Sequence, residues 1–343
     1  MERMTREQFF AKLAPLSEDK LQKTLWNLYW RGSATMRQRI EAELEPSAAR
    51  QRPAARKAPA DPDMVLDRVR TFVSLAHSGA YIAGSRRVSP KERTRWRFTF
   101  RSLLAEARDA LRSPDIHSAA EALTAMIDLA CQTRGYDYFR SEDPMEAAKV
   151  VVSDEVAHLW TRMLGHWGLA TFAERAMPQL IRWESQYGWT RTGWGQVSER
   201  ETTLAAVLAQ LLPAPDTWPT VAGQYLRALD QIAPDGAGQR QRPWLPARMD
   251  RDDRTARLAA WHDLLLQKLD GGDGDLLDRL STHPALGGPE LTFLQARLAH
   301  QRGERDNART LVEAALTALP GHQDFLAFAM EVGADPSTPS IKE

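Results

Sequence analysis

The residues between two prolines near the C-terminus, Pro289 and Pro320, most constrain the fold of this chain. Their apolar spacing predicts one helix near 292–302 and a second near 306–319, joined at Gly303. Small residues stand where the two helices would have to touch: Ala296, Ala299, Ala308 and Ala315. Pro320 ends the second helix, because proline has no N–H to continue the hydrogen-bonded ladder. The segment therefore predicts a close-packed helical hairpin.

This stretch resembles one tetratricopeptide (TPR) repeat, a helix-turn-helix unit of about 34 residues. The small, turn and proline positions of that pattern are filled by Ala296, Gly303, Ala308, Ala315 and Pro320. The stretch departs from the pattern at Ala299, where a large aromatic residue is usual, and at Val312, where Phe or Tyr is common. The resemblance covers about a tenth of the chain. It implies a helical scaffold that binds partners along a groove, and no reaction; an ordinary αα-hairpin is the alternative.

The remaining sequence also predicts helices, among them one over 144–152 and one over 251–269, and no convincing strand. We therefore predict an all-α chain of irregular helical-hairpin repeats, an α-solenoid. A compact multi-helix bundle is the alternative architecture. A second hairpin-like pair is predicted from Val156 to Trp183, with its turn at Gly168. We predict six segments: a small N-terminal helical unit (1–45), an Ala/Pro/Arg-rich linker (46–62), a helical body (63–233), a loop (234–250), a C-terminal helical region (251–333) and a tail (334–343). The N-terminal helices are too short to bury Trp26, Tyr29 and Trp30 fully.

Composition limits the environment of the chain more than its function. The 343 residues include 45 basic and 45 acidic side chains, and no apolar run approaches the about 18 residues that a membrane span needs. The single cysteine, Cys131, lies in an apolar helical run and is predicted to be a buried, inert thiol. The N-terminus has no apolar signal core. We therefore predict a cytoplasmic protein, and the Ala- and Arg-rich composition suggests a bacterial source.

The net charge of zero hides a basic segment. Between Arg50 and Arg101 there are 13 basic and four acidic residues. A helix is predicted to begin at Pro90. Its apolar residues form one stripe, the core stripe, which we expect to be buried. A row of arginines flanks this stripe, and Phe98 lies nearly opposite it. The candidate anion- or nucleic-acid-binding residues are Arg86, Arg87, Arg97, Phe98, Arg101 and Arg108. The alternative is a solvated flank whose arginines pair with acids on neighbouring helices.

A second candidate surface is the segment 183–195, in which aromatic residues alternate with glycines. Tryptophan and tyrosine offer rigid contact area, so the segment could bind a partner. The partner-binding candidates are Trp183, Tyr187, Trp189 and Trp194. The alternative is a loop that its tryptophans attach to the core.

No catalytic, cofactor or metal motif is specific. Glu155 and His158 have the Glu-x-x-His spacing of di-iron proteins, but such sites need a second pair, and none is present. We therefore predict no catalytic residues, no metal and no cofactor. The favoured function is a non-enzymatic scaffold or adaptor that binds a protein or peptide. Nucleic-acid binding through residues 86–108 is the alternative, and an enzyme that uses Glu155, His158 or the Trp-rich segment 183–195 ranks third.

Overall fold

The computed structural model describes residues 4–33, 36, 37, 40, 60–82, 84–133, 143–186, 195–232, 247–269 and 274–334. The chain divides into two compact units, Met1–Ala58 and Pro59–Glu343, and the division falls within the predicted linker. Most of that linker, residues 234–246 of the predicted loop and residues 335–343 of the predicted tail lie outside the described residues. The loop prediction is wrong for residues 247–250, which are helical.

In the first unit, α1 (Arg6–Leu13) and α2 (Glu18–Arg31) are joined by a short turn. The start of α1 is a capping box, in which the Thr5 hydroxyl accepts from the Gln8 N–H at 3.3 Å. On α2, the indole rings of Trp26 and Trp30 stack at 5.8 Å and are 59% and 70% exposed. These rings lie on the outer surface of the unit that carries them.

The described residues of the second unit are mainly helical. The helices are α3 (Pro62–His77), α4 (Pro90–Ala110), α5 (His117–Thr133), α6 (Pro144–Ala148), α7 (Val152–Ile181), α8 (Leu204–Leu211), α9 (Trp218–Asp230), α10 (Ala247–Arg257), α11 (Ala259–Lys268), α12 (Gly274–Ser281), α13 (Gly288–Gln301), α14 (Arg305–Ala318) and α15 (Gln323–Val332). The described residues contain no strand, which confirms the all-α prediction for them. Within that part of the chain, no helix is long and apolar enough to cross a bilayer.

The α4 helix forms as its sequence predicts. Ser89 and Glu92 complete a capping box, and Pro90 occupies the first turn. The predicted core stripe is buried: Trp96, Phe100, Leu103, Leu104, Ala107 and Leu111. Phe100 packs edge-on against Phe72 of α3, with ring centroids 6.3 Å apart. This packing fixes which side of α4 faces solvent.

The predicted hairpin centred on Gly168 is present within α7. Gly168 has φ 73° and ψ 174°, a conformation outside the helical region. The Trp160 Nε1–H donates to Gln179 Oε1 at 2.8 Å. Those residues would be about 28 Å apart in a straight helix, so the two arms of α7 must fold back on each other. Ala173 and Ala176 are fully buried in this contact region, as small residues between packed helices should be.

Two predicted helix boundaries are wrong. The helix predicted over 144–152 ends at Ala148, because Lys149 turns into the left-handed region with φ 55° and ψ 48°. The helix predicted over 251–269 is broken at Leu258, which has φ −95° and ψ 5°. Neither break carries the glycine or proline that would have marked it in the sequence.

The last three helices pack in an alternating arrangement. Gly303, at φ 80°, reverses the chain between α13 and α14, and the Glu304 N–H bonds to the Ala299 carbonyl at 2.9 Å. Both ends of α13 meet the matching ends of α15, since Glu290 lies 3.2 Å from His322 and His300 lies 3.7 Å from Glu331. The α13 and α15 helices are therefore parallel, with α14 antiparallel to both.

The α13 helix has two buried faces. Leu294 and Leu298 belong to the main core, whereas Phe293 and Ala296 belong to a second apolar cluster formed with α14 and α15. The ring centroids of Phe293 and Phe325 are 4.4 Å apart in that cluster. A helix that is buried on both sides is typical of stacked helical hairpins, in which each hairpin covers the previous one.

Candidate anion-binding cleft

The second unit has a cleft of about 720 Å³ beside the C-terminal half of α4. The first arm of α7, the connection between α6 and α7, and the turn at Arg200 form its other walls. Six cationic side chains line it: Arg101, Arg108, Arg112, Lys149, Arg162 and Arg200. Three acidic side chains and one histidine accompany them: Asp109, Asp154, Glu155 and His158. The cationic side chains exceed the acidic ones twofold, so the cleft favours an anionic ligand.

Lys149 enters this cleft from a strained backbone position. Among the described residues it is the only residue other than glycine with a positive φ. It closes α6 in a Schellman motif, in which the Val150 N–H bonds to the Met145 carbonyl at 3.1 Å. Glycine is usual at this position, and another residue costs about 1 kcal/mol there. The chain thus has a cation where glycine would be more stable, which makes Lys149 a candidate for function.

Two carboxylates connect the walls of the cleft. Glu201 accepts from the backbone N–H groups of Val152 and Ser153, both at 2.9 Å, and so caps the start of α7 from a distant segment. Glu146 of α6 accepts from the Val197 N–H at 2.8 Å. These bonds hold Arg200 close to the start of α7.

Four of the six cations have partners within the protein. Arg108 pairs with Glu155 at 3.4 Å, Arg200 pairs with Asp154 at 3.3 Å, and Arg112 pairs with Asp109. The Arg162 Nε–H donates to the Leu111 carbonyl at 2.8 Å. Among the described residues, Arg101 and Lys149 have no such partner. Their charges are available to a ligand.

Glu155 is the most buried charged group of the cleft. Its side chain is 10% exposed, and its Oε2 atom has no hydrogen-bond partner among the described residues. Burial raises the pKa of Glu155, the nearby Arg108 guanidinium opposes that rise, and Asp154 adds to it. His158 lies one helical turn further along, and its pKa is lowered by burial and by Arg108. Both shifts favour the neutral forms of these groups.

The predicted basic face is divided by the structure. Arg101 and Arg108 line the cleft, whereas Arg97, Arg86 and Arg87 do not. The α4 helix is about 30 Å long, and the cleft forms only where α7 packs against its C-terminal half.

The N-terminal end of the predicted face has a different arrangement. Arg87 donates to the Ser78 carbonyl within the loop that precedes α4. Phe98 is 56% exposed, and the Arg97 guanidinium lies 5.0 Å from its ring centroid. The prediction that Phe98 lies opposite the core is confirmed.

Trp183 is a core residue, so its prediction as a partner-binding residue is wrong. Its side chain is fully buried, stacks on Trp160 at 5.9 Å, and donates its indole N–H to Asp128 Oδ1 at 2.6 Å. A partner could not reach it without opening the α7 hairpin. The other three candidates of that segment, Tyr187, Trp189 and Trp194, lie outside the described residues. Cys131 is buried, as predicted.

No family model, curated protein or solved structure matches this chain. In the part of the chain that the structure describes, His, Cys, Asp and Glu side chains form no cluster of three that could hold a metal ion. The cleft therefore has to be interpreted from its own chemistry.

Sequence reasoning missed four cleft residues: Arg112, Lys149, Arg162 and Arg200. One signal was available, since Glu155, His158 and Arg162 follow each other at spacings of three and four and so share a helix face. Lys149 and Arg200 carry no comparable signal, because turns and distant caps place them.

Proposed function

We propose that this chain is a non-enzymatic helical-repeat scaffold that binds an acidic segment of a partner protein in the cleft beside α4. The observation that carries the proposal is the pair of cations without acidic partners, Arg101 and Lys149, in a cleft where cations predominate. An extended peptide with several carboxylates would complement that charge.

The architecture supports a scaffold. The alternation of α13, α14 and α15 agrees with the resemblance of residues 289–320 to a TPR repeat, and stacked helical hairpins commonly present binding grooves. The cleft itself lies outside that C-terminal hairpin, so the adaptor function does not depend on the resemblance.

The test is fluorescence anisotropy with a labelled ten-glutamate peptide and a ten-glutamine peptide as the uncharged control. The wild-type protein should bind only the glutamate peptide. Reversing the two cleft charges together (Arg101→Glu, Lys149→Glu) should weaken binding at least about tenfold, or 1.4 kcal/mol. The matched control reverses two exposed arginines outside the cleft, Arg227→Glu and Arg279→Glu, and should bind like wild type. Equal binding by both variants, or no wild-type saturation below about 1 mM, would refute the proposal.

Nucleic-acid binding is the second candidate, and the exposed Phe98 beneath Arg97 favours it. An exposed aromatic ring next to a guanidinium group is suited to stacking on a base. Arg97→Glu with Phe98→Ala should then abolish binding of a single-stranded RNA oligonucleotide at low salt, while Lys149→Glu should leave it nearly unchanged. Wild-type protein that binds neither RNA nor DNA at low salt would exclude this candidate, since non-specific binding is strongest there.

A further inference from the structure

The Glu155 carboxyl group lies in the wall of a cleft that otherwise attracts anions. Nine-tenths of its side chain is buried, and Arg108, at 3.4 Å from Oε1, is its one hydrogen-bond partner among the described residues. A buried carboxylate oxygen without a donor is unfavourable, because its hydration has been lost without replacement. The torsion about Cγ–Cδ is soft, so either oxygen can turn towards the cleft. A ligand that brings an O–H group would satisfy this oxygen.

Common biological anions differ in whether they bring such a group. Carboxylates and phosphodiesters are deprotonated near neutral pH, so they can pair with the cations of the cleft but bring no proton to Glu155. A phosphomonoester loses its second proton near pH 6, so it can still hold a P–OH in a site that favours the protonated form. It also presents three oxygens to surrounding cations.

We propose that the cleft is a phosphomonoester-binding site in which the ligand and Glu155 share one proton that is taken up on binding. The inference rests on the proposed scaffold function, and it assigns the phosphate to a phosphorylated side chain of the partner protein. Arg101 and Lys149 provide the unpaired cationic contacts, and Glu155 provides the acceptor.

The other charges around Glu155 make proton uptake the expected response. The side chains of Arg108, Arg101, Arg112, Arg162, Arg200 and Lys149 favour the ionised carboxyl group, whereas Asp109 and Asp154 oppose it. His158, on the same face of α7, adds no fixed charge when it is neutral. Burial has already raised the Glu155 pKa. A phosphate placed beside Glu155 adds negative charge and offsets the cations. This raises the affinity of Glu155 and the phosphate, taken together, for a proton.

The presence of a lysine at position 149, where the backbone is left-handed, agrees with the assignment of the cleft as a phosphomonoester-binding site. A glycine there would relieve the backbone strain at φ 55°, but it would remove one of the two unpaired cations. Lys149→Asn separates the two effects, because asparagine tolerates this backbone conformation and carries no charge. The variant should keep the stability of the wild type and lose at least about fivefold in affinity for a phosphomonoester at any pH.

The decisive experiment is calorimetric titration with phenyl phosphate and with methyl phenyl phosphate, a diester that cannot carry the second proton. Wild-type protein should bind the monoester, bind the diester at least about tenfold more weakly, and take up a proton, measured in buffers of different ionisation enthalpy. Its affinity for phenyl phosphate should fall by up to about tenfold per pH unit above pH 6. In Glu155→Gln the proton uptake should disappear, and the affinity should rise or stay level as the dianion forms. Glu199→Gln, at an exposed position, is the matched control and should behave like wild type.

Each result separates this inference from the scaffold proposal. Equal binding of monoester and diester, or an unchanged pH dependence in Glu155→Gln, overturns the inference while leaving the glutamate-peptide test intact. A merely structural Glu155 would lower the unfolding midpoint of Glu155→Gln without changing the sign of the pH dependence. Peptides that carry serine, glutamate or phosphoserine at one position then test the source of the phosphate. Preference for phosphoserine that is lost in Glu155→Gln supports a phosphorylated partner, and equal binding of the three peptides contradicts it.

Discussion

The buried pair formed by Tyr225 and His262 should make the second unit sensitive to acid. The Tyr225 hydroxyl lies 2.8 Å from His262 Nε2, and both side chains are buried between α9 and α11. Burial lowers the His262 pKa to about 3 and raises that of Tyr225. An unfolded chain, in which the histidine has its ordinary pKa, therefore binds a proton below about pH 6.5 that the folded chain rejects.

The sign and size of the effect follow from this difference. Because the folded pKa is depressed, the stabilisation is fully present above pH 6.5 and is lost as the pH falls towards 3. At pH 5 the loss is about 2 kcal/mol, from 1.5 pH units at about 1.4 kcal/mol each. The measurement is urea unfolding of the second unit at pH 7.5 and pH 5, followed by tryptophan fluorescence.

The variant Tyr225→Phe with His262→Leu removes both polar groups, so neither is left unpaired. Its loss of stability between the two pH values should be smaller than that of wild type by about 2 kcal/mol. Other acid-sensitive groups affect both proteins equally and cancel in the comparison. An NMR titration checks the premise directly, since the His262 ring resonances should not shift between pH 7.5 and pH 4.5. Identical losses in the two proteins, or a ring that titrates near pH 6.5, would refute the reasoning.

Three further changes test the fold by thermal or urea unfolding. Glu201→Ala should cost about 1–2 kcal/mol, because α7 loses its cap, whereas exposed Glu199→Ala should be nearly neutral. Gly303→Ala should cost about 1 kcal/mol at its positive φ, whereas Gly321→Ala, at negative φ with free space around it, should be neutral or slightly stabilising. Ala308→Trp should cost about 1–3 kcal/mol by overpacking the contact between α13 and α14. An unchanged unfolding midpoint would contradict the cap at Glu201, the positive φ at Gly303 or the helix contact at Ala308, respectively.

The parts of the fold that the sequence predicted are those governed by local rules. The α4 helix begins at Ser89 because the capping box and Pro90 act within one turn of the chain. The turns at Gly168 and Gly303 were predictable because glycine readily adopts the positive φ found there. Both glycines follow a segment with apolar helical periodicity, so the residue type and the apolar pattern predict the end of a helix at the same place.

The wrong predictions have two different physical causes. Trp183 was a partner-binding candidate because tryptophan is common at binding sites, with attachment to the core as the alternative. An apolar contact with Trp160 and a hydrogen bond to Asp128 hold it in the core. The end of α6 at Lys149 was missed because a Schellman motif usually has glycine. Contacts with residues distant in sequence decide the position of Trp183, whereas the end of α6 depends on a local motif with an unusual residue at its left-handed position.

The charge of the cleft shows why a neutral chain can still have a basic site. Arg101 ends the basic segment and Arg108 follows it on the same helix, but Lys149 and Arg200 come from two distant turns. Glu201 connects those turns by capping α7, where its carboxylate accepts from two backbone N–H groups. A carboxylate that caps a helix is not available to pair with a cationic side chain. In a chain with equal numbers of acidic and basic residues, a cation elsewhere is then left without an acidic partner. Overall neutrality therefore sets no limit on local potential, and the cationic cleft beside α4 forms only where α7 packs against that helix.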